Sequence, residues 1–241
     1  RGNPLDVLRD LLRRNAVDST SLPVPFGGGA VGYFGYDLCH FIERLPVTAH
    51  DDLKLPDCCF AFYDSVLAFD HVAKRSFIVA NGLHDVDAAC REQRARERIE
   101  KWKGFLSRSN GRKQTILGER GGGPAAASTL NSNFTRDEYI AAAAKAIEYV
   151  AAGDIFQVNL SQRYDVALSV DPYELYLRLR RINPAPFASY LNLGDVTVAG
   201  ASPERFLRVT GAQVETRPMK GTRPRGESAA EDERMAAELV A

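Results

Sequence analysis

At 241 residues, 45% of them hydrophobic, the chain is long enough to bury a sizeable core in one or two domains. Lys plus Arg number 31 and Asp plus Glu 31, so no basic excess points to nucleic acid or to an anionic membrane surface. No apolar run is long enough to span a bilayer, and residues 1–20 are charged and helix-like rather than a signal peptide. The four cysteines (Cys39, Cys58, Cys59, Cys90) lack metal-ligand spacing, and the adjacent Cys58-Cys59 reads as core thiols, which points to a reducing, cytoplasmic compartment. None of the four histidines (His40, His50, His71, His84) has the neighbours of a catalytic or metal site.

In chain order, Asn3 to Asn15 predicts a short amphipathic helix. Asn3 can cap it, Pro4 suits its first turn, and Leu5, Leu8, Leu11 and Leu12 share a face. Val24 to Tyr36 holds the cluster Gly27-Gly28-Gly29 before an apolar run. Such glycines can cradle phosphate, but no Gly-Lys-Ser/Thr follows and no helix opens there, so a strand with close backbone approach is the favoured reading. Cys58 to Phe69 and Ser76 to Ala80 predict a pair of strands, with Phe60, Phe62 and Val66 as good strand formers. Val86 to Leu106 predicts a charged helix. Its run Arg91 to Arg98 is interleaved with Glu92 and Glu97, which makes a solvated face rather than a nucleic-acid patch.

Residues 107–133, rich in Gly, Ser and Asn, predict a linker between a segment 1–106 and a segment 134–241. Thr135 then caps an Ala-rich helix, Tyr139 to Ala152. Asp137 and Glu138 complement its dipole and Gly153 closes it. Asp154 to Arg163 predicts a strand. Asp171 and Pro172 open a helix from Tyr173 to Arg181, which Asn183-Pro184-Ala185-Pro186 ends. Phe187 to Leu191 and Val196 to Ala199 predict a hairpin. Runs of strands joined by short turns or single helices favour an α+β fold with mostly antiparallel sheets over a doubly wound one.

The chemistry concentrates between Ala201 and Arg225. Phe206, Leu207 and Val209, the turn Thr210-Gly211-Ala212-Gln213, and then Val214, Thr216 and Met219 predict a second hairpin. Glu204 sits where its first strand begins and Lys220, followed by Gly221, where its second ends, so an acid and an amine can share a cleft. A desolvated Lys near other cations, here Arg217, Arg223 and Arg225, can lose its proton and become a nucleophile. The pattern alone favours the plainer reading, because solvated surface charges outnumber perturbed functional ones.

Ser202-Pro203-Glu204 followed by Arg217-Pro218-Met219-Lys220-Gly221-Thr222-Arg223 resembles the Ser-Pro-Glu and Pro-Ile-x-Gly-Thr motifs of the chorismate-utilising enzymes, the family of anthranilate synthase component I and aminodeoxychorismate synthase component I. Gly28-Gly29-Ala30-Val31-Gly32-Tyr33-Phe34-Gly35-Tyr36-Asp37 resembles another segment of that family. The variable motif position is typically Ala in anthranilate synthases and Lys in aminodeoxychorismate synthases; here it is Lys220. Val158-Asn159-Leu160-Ser161-Gln162 also looks more like the second branch.

The resemblance implies large antiparallel sheets packed face to face with helices outside, here incomplete at both ends. It implies a reaction of chorismate and ammonia that yields 4-amino-4-deoxychorismate for 4-aminobenzoate and folate synthesis. Lys220 would be the nucleophile, Glu204 the general acid, and Gly221 and Thr222 the substrate-binding neighbours. A glutamine amidotransferase subunit would supply the ammonia. Mg²⁺ would be required, with its ligands outside this chain, so that the chain alone would be inactive. Pro186, Phe187 and Ala188 align with an amino-acid pocket that holds tryptophan in some members. The alternatives are anthranilate synthase component I and a non-catalytic amino-acid-binding homologue.

Overall fold

The computed structural model describes residues 2–16, 22–83, 87–109, 129–219 and 221–239. The chain divides into two compact units, Arg1–Arg120 and Gly121–Ala241. Among the described residues every strand pairing is antiparallel, and helices and strands mix in both units, which makes the chain α+β, the class expected.

In the first unit, helix α1 (Pro4–Arg14) starts as predicted: the Asn3 side chain accepts a hydrogen bond from the Leu5 N–H at 2.9 Å and Pro4 occupies the first turn. Strand β1 (Gly29–Phe34) pairs with β2 (Cys58–Tyr63), and a 3₁₀ helix (Tyr36–Phe41) follows β1. The glycines serve close approach. In the register Gly32 lies opposite Phe60, and a Cβ on Gly32 would sit 1.9 Å from the Cys59 carbonyl oxygen. Gly28 takes a left-handed φ of 133°, and the Asn81 side chain donates to the neighbouring Gly27 carbonyl at 3.1 Å. These glycines bring backbone to backbone rather than backbone to phosphate.

The run Cys58 to Phe69, expected as one strand, is two. Strand β3 (Ser65–Asp70) pairs with β4 (Arg75–Ala80) in a separate ladder, and Asp64 breaks the run. A carboxylate in mid-strand must find a cation once it is buried. Asp64 is buried, and it accepts from Arg98 Nε of helix α2 (Ala88–Ser109) at 2.7 Å. One helical turn further on, Trp102 Nε1 donates to Ser65 Oγ at 3.2 Å. These two bonds dock α2 on the β3–β4 ladder, beside the buried Val79 and Leu83. Cys58 and Cys59 are half-buried in β2, without disulfide partners.

In the second unit, strand β5 (Asn131–Ser132) lies within the expected linker and pairs with β6 (Tyr164–Asp165); residues 110–128 of that linker lie outside the described residues. Helix α3 (Arg136–Ala152) has a full capping box, in which Thr135 and Glu138 exchange side-chain-to-backbone hydrogen bonds, and Gly153 closes it at φ 84°. Hydrogen bonds from the Thr135 backbone and hydroxyl hold the Glu138 carboxyl below its ordinary range. The strand expected over Asp154 to Arg163 does not form. Its Phe156 is 92% exposed, and only Tyr164–Asp165 beyond it is laddered. An extended segment becomes a strand only against a partner edge.

Helix α4 (Pro172–Ile182) begins where Asp171 accepts from the N–H groups of Tyr173 and Glu174, at 2.8 and 3.3 Å. It packs on the hairpin of β7 (Phe187–Asn192) and β8 (Thr197–Ser202) through three tyrosines. Tyr173 and Tyr176 lie 5.1 and 5.4 Å, centroid to centroid, from Tyr190. Each such pair adds about 0.5–1.5 kcal/mol beyond its area burial, which holds β7 against its helix.

Two glycine substitutions separate sterics from propensity. Gly32→Ala is expected to destabilise the chain by roughly 1–3 kcal/mol, because the β1 and β2 backbones must part. Gly104→Ala, in α2 with open space around its Cβ position, is expected to stabilise it by about 0.5–1 kcal/mol. Urea unfolding midpoints of the two variants check both signs.

Candidate functional site

The candidate residues gather around a hairpin that follows β8. Strands β9 (Arg205–Thr210) and β10 (Gln213–Arg217) pair as predicted around Gly211, whose φ of 57° lies in the left-handed region that favours glycine. Strand β10 ends at Arg217, short of the expected Met219, because Pro218 has no N–H to donate to the ladder.

Glu204 stands exposed between β8 and β9. Its N–H donates to Ser202 Oγ at 3.3 Å, and that hydroxyl lies 3.3 Å from the Glu204 carbonyl oxygen. This local turn fixes the acid at the head of β9. The register pairs Arg205 with Arg217, so the chain just past β10 leaves the ladder beside Glu204. Lys220, the expected nucleophile, lies outside the described residues. Gly221 and Thr222 are exposed, and the Thr222 carbonyl accepts from Arg223 Nη1 at 3.1 Å.

Two arginines opposed across a ladder repel each other unless an anion sits between them. Glu215 supplies it. Arg205 Nη1 makes a short ion pair with Glu215 Oε1, and Arg217 Nε meets the same oxygen at 3.0 Å. An irregularity between Glu215 and Arg217 brings this about, since Arg208 is the register partner of Glu215. Burial pushes the Glu215 carboxyl up, but the Arg205 hydrogen bond and the charges of Arg217 and Arg205 outweigh it and hold the group below its ordinary range.

The segment after Lys220 is anchored to helix α5 (Ala229–Glu238). Arg223 Nε pairs with Glu238 at 3.2 Å, Arg225 Nη2 with Asp232 at 2.6 Å, and the Gly226 N–H donates to Asp232 at 3.0 Å. Each of the three arginines expected to depress the Lys220 pKa therefore has a carboxylate partner, Glu215, Glu238 or Asp232. Paired charges cancel at a distance, so the three arginines are not the bare cationic cluster that their sequence suggests.

Phe187, at the head of β7, pairs with Ser202, and Ala188 with Ala201. Pro186 and Phe187 are exposed and Ala188 is half-buried. The ladder thus brings the expected amino-acid-pocket residues alongside the Ser202-Pro203-Glu204 turn. The Arg205 guanidinium lies 5.3 Å from the centre of the Phe187 ring, over its face. Arg205 and Glu215 were not singled out by the sequence. Their pairing depends on the extra residue in β9 between Arg205 and Arg208, which residue types do not reveal. A cavity of about 470 Å³ lined by Tyr36, Asp37, His40 and Phe41, among others, belongs to the first unit and contains none of these residues.

The family profile of chorismate binding enzymes matches residues 2–241. The chain belongs to that family. It is 44% identical over 216 residues to anthranilate synthase component 1 of Thermus thermophilus, covering 90% of this chain and 44% of that protein. It is 35% identical to aminodeoxychorismate synthase component 1 of Escherichia coli (99% of this chain, 48% of that protein) and 32% identical to its Bacillus subtilis counterpart (99% and 49%). Among solved structures, anthranilate synthase component I of Streptococcus pneumoniae superposes with a TM-score of 0.72 at 24% identity, over 97% of this chain and 50% of that one, a likeness of fold. The chain spans about half the length of these relatives. Among the described residues no helix is long and apolar enough to cross a membrane.

The pH dependence of the hairpin follows from Glu215. Its pKa is lower folded than unfolded, so its contribution is present above the ordinary glutamate range and is lost as the pH falls through that range and below. Protection of the Gln213 to Arg217 amides, relative to their intrinsic exchange rates, is expected to fall on acidification in the wild-type chain and to stay unchanged in Glu215→Gln.

Proposed function

We propose that the protein acts as component I of an aminodeoxychorismate synthase, converting chorismate and ammonia into 4-amino-4-deoxychorismate and water. The observation that carries this reading is Lys220 in Arg217-Pro218-Met219-Lys220-Gly221-Thr222, the motif position that separates the two branches; Val158-Asn159-Leu160-Ser161-Gln162 supports it.

In this mechanism the neutral amine of Lys220 forms a bond to C2 of the ring, the ring double bonds shift, and the C4–O bond breaks. Glu204 gives its proton to the departing oxygen as general acid, which releases water. Ammonia then adds at C4, the double bonds shift back, and the C2–N bond breaks to free Lys220. The placement of Glu204 beside the exit of β10 supports the pairing of roles, since that strand leads to Lys220. Gly221 lets the backbone approach the anionic substrate, and Thr222 offers it a hydroxyl. Ammonia would come from a glutamine amidotransferase subunit, and tryptophan would be the occupant of a pocket at Pro186, Phe187 and Ala188.

Mg²⁺ would serve as a charge partner for a substrate carboxylate. Among the described residues no group of three or more His, Cys, Asp or Glu is placed to hold a metal ion. The second reading is anthranilate synthase component I, favoured by the 44% identity to the Thermus thermophilus protein.

The test is product identity. The full-length gene product, supplied with chorismate, Mg²⁺ and ammonia, is expected to form aminodeoxychorismate, which an added lyase converts to 4-aminobenzoate. Anthranilate as the product would overturn the Lys220 reading in favour of the second. Lys220→Ala is expected to lower turnover by at least about 10³-fold.

A further inference from the structure

The environment of Arg205 goes beyond these roles. The residue links three strands. It belongs to β9, it pairs with Glu215 of β10, and it lies over the ring of Phe187 at the head of β7, 5.3 Å from the ring centre. Its side chain is only 22% exposed. The adjacent residue, Glu204, is held locally by the Ser202 turn, through its backbone rather than its carboxyl.

We propose that Arg205 is a positioning residue, a clamp that sets the general acid Glu204 and the strand leading to Lys220 against β7. The inference rests on the roles assigned to Glu204 and Lys220, but the clamp itself rests on geometry.

A planar fork suits this place. Guanidinium can pair with a carboxylate in its plane while presenting its face to an aromatic ring. Ammonium has no such face, so Arg205→Lys would keep the charge and lose the geometry. The anion is equally specific, because without Glu215 the register would leave Arg205 and Arg217 as opposed like charges. Loss of the Phe187 ring would withdraw one side of the clamp and shift Glu204 relative to the end of β10. Displacements of this kind need only be about 1 Å to cost on the order of 10²-fold in rate.

The experiment uses the full-length gene product and reads kcat and KM for chorismate with ammonia. Arg205→Ala is expected to lower kcat by about 10- to 100-fold while KM for chorismate stays within about twofold, as misplacement of a catalytic group requires. Arg205→Lys should not restore it. Phe187→Leu, which keeps the ion pair, should lower kcat several-fold, and its effect should vanish in the Arg205→Ala background. Wild-type kcat in Arg205→Ala, or independent effects in the double variant, would overturn the clamp.

If Arg205→Ala does not fold, the Phe187→Leu result decides, with an unchanged kcat counting against. If the wild-type protein turns over no chorismate, the functional reading falls and amide exchange decides the clamp. Exchange over Arg205–Thr210 and Gln213–Arg217 should then rise roughly 10-fold in Arg205→Ala, and unchanged protection would overturn the proposal.

Discussion

One guanidinium, that of Arg205, ties the β9–β10 hairpin to β7. It relieves a repulsion built into the β9–β10 ladder, where Arg205 and Arg217 are register partners, by sharing Glu215 with Arg217. The same group lies over the Phe187 ring. The three tyrosines between α4 and β7 hold that strand against its helix. Packing thus runs from α4 through β7 to the hairpin, and the acid and the end of β10 are placed by it.

Within the first unit the organising constraint is different. Asp64 interrupts an apolar run and must be compensated, and Arg98 of α2 compensates it. That pairing separates two ladders and seats a helix on one of them. Gly32 lets the other ladder close to a distance no side chain would permit.

Local features were legible in the sequence. The caps at Asn3, Thr135 and Asp171, the Gly153 stop and the Gly211 turn each depend on residues a few positions apart, and each stands as expected. Features set by distant partners were not legible. Asp154 to Arg163 has strand-like residues but no ladder, and Cys58 to Phe69 reads as one strand until Arg98 claims Asp64. The arginines near Lys220 look like a cationic cluster until Glu238 and Asp232 of α5 meet them. Of the candidate site, Glu204 and Phe187 come to neighbouring places in the ladders, while Lys220 falls outside the described residues.

The family is common to both branches of relatives, so the choice of reaction rests on Lys220. The most direct test of its role is intact-mass analysis of the full-length gene product mixed with chorismate and Mg²⁺ in the absence of ammonia. The account predicts a covalent adduct with the mass of chorismate less water, mapping to Lys220 and absent in Lys220→Ala. An adduct that survives that substitution, or that maps to another residue, would contradict it.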